Sequence, residues 1–183
     1  MSFPNPSTAL ASIVVDELVR RGVQFFVVAP GSRSTALALA VDAHPGAALT
    51  VAIDERSAAF HALGSVKASG APAAVLTTSG TAVANLLPAV VEADADGMPL
   101  VVLTADRPTE LRGVGANQAI DQRDLFGSFV RLALEWGPAE LTPSAPDWWR
   151  SMVAQASAAA DGFGGRPGPI HLNLLFREPT VPT

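Results

Sequence analysis

The sequence predicts an α/β domain with three layers, helix–sheet–helix, built on a mainly parallel sheet of about six strands. Three observations predict this class. Short continuous apolar runs, such as Phe25-Phe26-Val27-Val28-Ala29 and Leu100-Val101-Val102-Leu103, read as strands buried on both faces. Most of these runs are followed by a segment whose apolar residues recur at helical spacing. The two kinds of segment alternate strictly over the first hundred residues, and right-handed crossovers turn such alternation into a parallel sheet covered on both sides. A length of 183 residues suits one domain of ordinary size.

The elements follow in order. Asn5-Pro6-Ser7 supplies a cap with Pro near the first helical position, and Leu10, Ile13, Val14 and Leu18 form the stripe of a helix that ends near Arg21-Gly22. The strand at 25–29 is stopped by Pro30-Gly31. A helix from about Ser34 to Ala43 carries Leu37 and Val41 on one face and is stopped by His44-Pro45-Gly46. Residues 49–53 read as a strand, and 56–68 as a helix directing Phe60 and Leu63 to the core. Residues 73–77 are the next strand, 80–95 the next helix and 99–104 another buried strand. The pattern then breaks. Residues 105–126 are rich in Arg, Asn, Gln and Asp, contain Gly113 and Gly115, and have little periodicity. A long polar loop after a buried strand is more often functional than decorative. Residues 129–136 read as a strand, and Ala145–Ala160 as a helix whose Trp148-Trp149 pair covers the core or an interface. Residues 169–175 are the last strand. The domain is expected to span 1–176. The tail 177–183, with two prolines and no core pattern, reads as the start of a linker to further domains.

Composition narrows the function classes. The chain is 49% hydrophobic and only 16% charged, enough for a sizeable core and few enough charges to expect part of the surface to be covered by other domains or subunits. Net charge is −5, and no Lys/Arg run offers the electrostatic footprint of a nucleic-acid binder. The absence of cysteine excludes disulfides and thiolate metal sites and points to the cytoplasm. Met1-Ser2-Phe3-Pro4-Asn5-Pro6 lacks the regions of a signal peptide, and no apolar run is long enough to span a bilayer. His44, His61 and His171 have no second ligand at metal spacing and read as structural.

Candidate chemistry gathers at strand ends. Ligands of open α/β sheets bind outside the carboxyl ends of the strands. Glu55, in Asp54-Glu55-Arg56-Ser57, stands at such an end; alone it is equally an acid favoured by the helix dipole. Pro30-Gly31-Ser32-Arg33-Ser34 offers N–H groups, a hydroxyl and a guanidinium, a set suited to a carboxylate or phosphate, or else a tight turn with a solvated Arg. Neither GxGxxG nor GxxxxGK[ST] occurs, which argues against a dinucleotide fold and a P-loop. Ser79-Gly80-Thr81 lies where a strand passes into a helix, a place for an anion or an ordinary cap. Arg107 either clamps an anionic substrate or pairs with Asp106. Asn117-Gln118 orient a ligand or fill the loop. Glu55 gains weight from this company, because three polar strand-end loops suggest a single site.

Pro30-Gly31-Ser32-Arg33-Ser34, Asp54-Glu55-Arg56, Thr78-Ser79-Gly80-Thr81-Ala82-Val83-Ala84-Asn85, Asp106-Arg107-Pro108 and Gly115-Ala116-Asn117-Gln118 occur in this order. Together they closely resemble the N-terminal domain of the 2-succinyl-5-enolpyruvyl-6-hydroxy-3-cyclohexene-1-carboxylate synthases, thiamine diphosphate enzymes of menaquinone synthesis. The resemblance covers essentially the whole chain, including Leu175-Phe176-Arg177-Glu178-Pro179 near its end. It implies a transferase that decarboxylates 2-oxoglutarate and adds the resulting carbanion equivalent to isochorismate in a 1,4-addition, releasing CO2. It implies that Glu55 hydrogen-bonds N1′ of the aminopyrimidine and favours the imino tautomer, whose 4′-nitrogen takes the proton from C2 of the thiazolium. Pro30, Ser79 and Thr81 would lie beside the cofactor, and Ser32, Arg33, Arg107, Asn117 and Gln118 would face substrate. Both substrates carry two carboxylates, which gives the arginines a purpose despite the negative net charge. The Gly-Asp-Gly…Asn motif that binds Mg²⁺ and diphosphate in the superfamily is absent. Those ligands are expected in a C-terminal domain, contributed by a second subunit of a homo-oligomer, so this chain alone is expected to be an inactive half-site with no metal ligand. An acetolactate synthase or a 2-oxo acid decarboxylase would share the glutamate without the set Ser32-Arg33, Arg107 and Asn117-Gln118. A non-catalytic binding module is a further alternative, against which the intact Glu55 argues.

Overall fold

The computed structural model describes residues 3–182. Met1 and Ser2, the first residues read for a signal peptide, and Thr183, the last of the tail, lie outside the described residues. Six strands form one sheet: β1 (Phe25–Val28), β2 (Ala48–Val51), β3 (Ala73–Thr77), β4 (Leu100–Asp106), β5 (Ala133–Trp136) and β6 (Ile170–Leu175). Their order is β2-β1-β3-β4-β6-β5, and every pairing is parallel. The expected three-layer α/β/α fold is therefore the one observed.

Alternate residues of the central strands feed two cores, one on each face of the sheet. Phe26, Leu76 and Leu103 pack with Leu10, Val14 and Leu18 of α1 (Pro6–Arg20), Leu37 and Val41 of α2 (Thr35–Asp42), and Trp149 and Val153 of α6 (Ala145–Ala160). Val27, Val75 and Val102 pack with Ala59 and Leu63 of α3 (Glu55–Ser69) and Val90 of α5 (Leu87–Asp96). Local chemistry sets the helix ends. Asn5 Oδ1 accepts from the Thr8 N–H at 2.8 Å to start α1, with Pro6 in its first turn. Asp54 Oδ1 accepts from the Ser57 N–H at 2.7 Å to start α3, and Gly70 in the left-handed region ends it.

Two expectations are corrected. Residues 80–95 do not form one helix. They form α4 (Thr81–Ala84) and then α5, with Asn85 and Leu86 between them. Pro88 lies in the first turn of α5, where its missing N–H costs nothing; in a continuous helix it would have broken the bond to Ala84. Phe60 points outward and is 43% exposed, whereas Leu63 is buried. The buried face of α3 is Ala58, Ala59, Ala62, Leu63 and Val66, and position 60 falls just beyond its edge.

Among the described residues no α-helix joins β6 and β5 in the core on the α3 side. Residues 107–130, with 3-10 turns at Thr109–Leu111 and Gly127–Phe129, lie there instead. Strand β6 is built to suit: Ile170, Leu172 and Leu174 enter the α1–α6 core, while His171 and Asn173 face the loop. Phe126 meets the His171 ring edge-on, centroids 4.8 Å apart. The described part of the tail is fastened to the start of α1: Ser7 Oγ donates to Arg177 O and Asn5 Nδ2 to Val181 O, both at 2.8 Å. No helix among the described residues is long and apolar enough to cross a membrane.

Candidate functional site

In an all-parallel sheet the carboxyl ends of the strands share one edge. Pro30 and Ser32 follow β1, Glu55 follows β2, Ser79 and Thr81 follow β3, and Arg107 follows β4. The connection from β1 leaves through α2 on one face, and that from β3 leaves through α5 on the other. The gap between β1 and β3 is therefore a topological switch point, where such sheets open a crevice. A cavity of about 450 Å³ opens on the other side of the β1 end, between α2 and β2, lined by Pro30, Gly31, Ser32, Leu49 and Val51 among others.

Glu55 is the first residue of α3 and is half-buried. Its Oε2 accepts a hydrogen bond from Asn85 Nδ2 at 3.1 Å, and Oε1 has no partner among the described residues. A carboxylate held by one oxygen and open at the other fits an aminopyrimidine ring nitrogen. Pro30 and Thr81 are exposed beside the crevice.

The loop carrying Asn117 and Gln118 is drawn to the rim. Arg107 donates from Nε and Nη2 to Asn117 O, at 3.1 and 2.8 Å. Ser79 Oγ donates to Gln118 O, and Gln118 Nε2 returns a bond to Ser79 O, each at 3.0 Å. The Ser79 hydroxyl and the Gln118 side-chain NH2 are thus each spent on the other's backbone carbonyl; Ser79 is buried, and Gln118 remains exposed at the rim. Gly80 makes the approach possible: its φ is +84°, and a Cβ there would lie 2.8 Å from Gln118 Cγ and 2.9 Å from Gln118 O.

The arginines differ from their sequence readings. Asp106 is not the side-chain partner of Arg107. Its Oδ1 accepts from the Arg107 backbone N–H at 2.7 Å, and Oδ2 takes Arg112 at 2.5 Å and Asn173 at 3.0 Å. The Arg107 guanidinium holds Asn117 O instead. Arg33 is buried instead of solvated. Its Nη1 donates to Phe176 O at 3.0 Å and pairs with Glu178 Oε1 at 3.2 Å, while Nε is buried with no hydrogen-bond partner among the described residues. Burial, then repulsion from Arg107, lowers the pKa of Arg33 from its ordinary value, with Glu178 and Asp106 opposing. Two arginines at one sheet edge suit an anion.

Sequence reasoning missed the polar layer beneath this rim. Arg112 binds both Asp106 and Glu135, reaching Glu135 at 2.7 and 2.8 Å. Asn173 Nδ2 donates to Asp106 Oδ2 and to Glu135 Oε2, at 3.0 and 2.7 Å. Carboxylates only accept, so they fix the orientation of the Asn173 amide. Its Oδ1 then accepts from Thr104 Oγ1 at 2.7 Å and Gln122 Nε2 at 2.8 Å. Gln122, fully buried, turns Oε1 to the Gly80 N–H at 2.9 Å and so braces the Ser79–Thr81 turn. The one signal available was the apolar–polar alternation of Ile170-His171-Leu172-Asn173-Leu174. No group of three or more metal-ligating side chains occurs among the described residues.

A parallel α/β/α sheet whose rim holds such an acid defines a class. The chain belongs to the family described as thiamine pyrophosphate enzyme, N-terminal TPP binding domain, whose model matches residues 8–125. Glu55, the Ser79 turn, Arg107 and Gln118 all fall within that match. The particular likeness is narrower. The chain is 56% identical over 178 residues to a 2-succinyl-5-enolpyruvyl-6-hydroxy-3-cyclohexene-1-carboxylate synthase of Thermobifida fusca, covering 97% of this chain and 32% of that protein. To the enzyme of the same name from Halobacterium salinarum it is 52% identical over 182 residues, covering 100% and 31%. To that from Geobacillus thermodenitrificans it is 53% identical over 169 residues, covering 92% and 28%. The chain spans about a third of the length of the curated relatives it matches.

Proposed function

We propose that this chain is the aminopyrimidine-binding part of a synthase that decarboxylates 2-oxoglutarate and adds the succinyl carbanion equivalent to isochorismate, releasing CO2. The names of its relatives support this reading. The observation that carries it is a juxtaposition at one sheet edge: an acid with one oxygen unpartnered among the described residues, and Arg33 and Arg107 after β1 and β4. When bound, thiamine diphosphate supplies the carbanion chemistry that side chains lack. Glu55 Oε1 would be the carboxylate oxygen that meets N1′ of the aminopyrimidine and would stabilise a proton there. Pro30, Ser79 and Thr81 form the wall beside that ring. Ser32, Arg33, Arg107, Asn117 and Gln118 make the substrate side of the site, where the positive charges of Arg33 and Arg107 attract the substrate carboxylates. Mg²⁺ and the diphosphate are assigned to a further domain, the C-terminal domain of a second subunit, and the enzyme to the cytoplasm.

The test is product analysis by mass spectrometry with the full-length protein, thiamine diphosphate, Mg²⁺, 2-oxoglutarate and isochorismate. The expected result is the named cyclohexene carboxylate, formed only when both substrates are present. Acetolactate made from pyruvate, with no isochorismate-dependent product, would overturn the reading.

A further inference from the structure

We propose that Asn85 is the positioning residue for Glu55: its Nδ2 holds one carboxylate oxygen so that the other is presented to the cofactor ring in a single direction. The inference rests on the reading of Glu55 as the acid that meets the aminopyrimidine, and it adds the group that aims that acid.

The Asn85 bond is the only hydrogen bond to the Glu55 side chain among the described residues. Without it, a half-buried carboxylate at the start of a helix rotates among several staggered positions, each presenting its oxygens differently. Asn85 is well placed to prevent this. It occupies the corner between α4 and α5, and its backbone N–H closes the turn of α4 on Thr81 O at 3.2 Å. The corner is anchored by Val83 and Leu86, both fully buried. The amide is therefore carried on a rigid mount. Its orientation is not in question, because an ionised carboxylate only accepts and the NH2 group must be the end that meets it. The bond also spans two strands. It ties the element after β2 to the element after β3, across the end of β1. The break between α4 and α5 gains a purpose from this, since it turns residue 85 toward Glu55.

Asn85→Asp makes the test sharp. Aspartate matches asparagine in size and keeps the corner, so a purely structural role survives it. A positioning role does not, because the donor becomes a second carboxylate about 3 Å from the first, and such a pair does not stay fully ionised. The full-length protein is compared as wild type, Asn85→Ala, Asn85→Asp and Glu55→Gln. Three quantities are read: melting of the apo-protein, the calorimetric Kd for thiamine diphosphate with Mg²⁺, and the C2–H exchange rate of the bound cofactor by acid-quench NMR. Asn85→Ala is expected to slow exchange about ten- to hundredfold, the equivalent of one hydrogen bond to a charged group. Asn85→Asp is expected to slow it further, toward the rate of Glu55→Gln, with the Kd and melting temperature of both variants close to wild type. Exchange at the wild-type rate in Asn85→Asp would overturn the inference. So would losses of melting temperature and affinity in proportion to the loss of exchange. If the wild type itself fails to accelerate exchange over free cofactor, the functional reading falls and this inference with it.

Discussion

Asn173 uses all four hydrogen-bonding positions of its amide, on four different side chains. Asn173→Leu keeps the volume but strips partners from Thr104, Gln122 and two carboxylates at once. The expected loss is on the order of 3 kcal/mol in urea denaturation, because buried groups left unpaired cost more than a bond is worth. A loss under about 0.5 kcal/mol would mean that the layer is not coupled in this way. His171 belongs to the same layer. Thr104 Oγ1 spends its proton on Asn173, so the bond at 2.8 Å to His171 Nε2 requires the ring to donate. Burial pulls the His171 pKa down to about 4, against Glu135, which pushes it up. The unfolded chain, with an ordinary histidine near 6.5, binds the extra proton first as pH falls. The contribution is therefore whole above about pH 6.5 and declines to nothing at about pH 4, worth on the order of 3 kcal/mol. Thermal melts from pH 7 to 4.5 should fall more steeply in the wild type than in His171→Leu, and parallel curves would contradict the assignment.

Among the elements, the β3–α4 turn and the β4–β5 connection hold each other in place. Gly80→Ala forces a side chain into a left-handed position against Gln118, and the expected cost is about 2 kcal/mol or more. Gly64→Ala is the contrast. It lies inside α3 with open space around a Cβ, and is expected to stabilise by about 0.5–1 kcal/mol. Equal effects in denaturant melts would remove the steric argument. These elements also show what the sequence could disclose. Strands β1, β3 and β4 were legible because a run buried on both faces is apolar without interruption. The bounds of α6 were legible because its periodicity is long. The α4–α5 break was not, since Pro88 is tolerated in either a first turn or a kink. The rim loops could be found, because they stand where periodicity stops. The direction of their side chains could not. Arg33 is fixed by the carbonyl of Phe176, 143 positions away in the chain, and Gln118 by Ser79, 39 away. Only the fold brings such partners together.

At the scale of the whole molecule, apolar side chains are left uncovered near the acid. Ile53 is 90% exposed and Val51 57%, on the edge strand and loop that lead into Glu55, with Leu39 and Phe60 also exposed. Apolar surface of this kind beside a site is what a neighbouring domain or subunit would cover. We propose that the rim is one half of a cofactor site, whose diphosphate-gripping half belongs to a further domain. Charge-assisted contacts to Mg²⁺ and diphosphate should supply much of the affinity. The most direct measurement is titration calorimetry of the 183-residue chain with thiamine diphosphate, with and without Mg²⁺, after circular dichroism has shown it folded. The expected result is no resolvable binding, or binding no tighter than about millimolar and indifferent to Mg²⁺. Micromolar, Mg²⁺-dependent binding by these residues alone would contradict it.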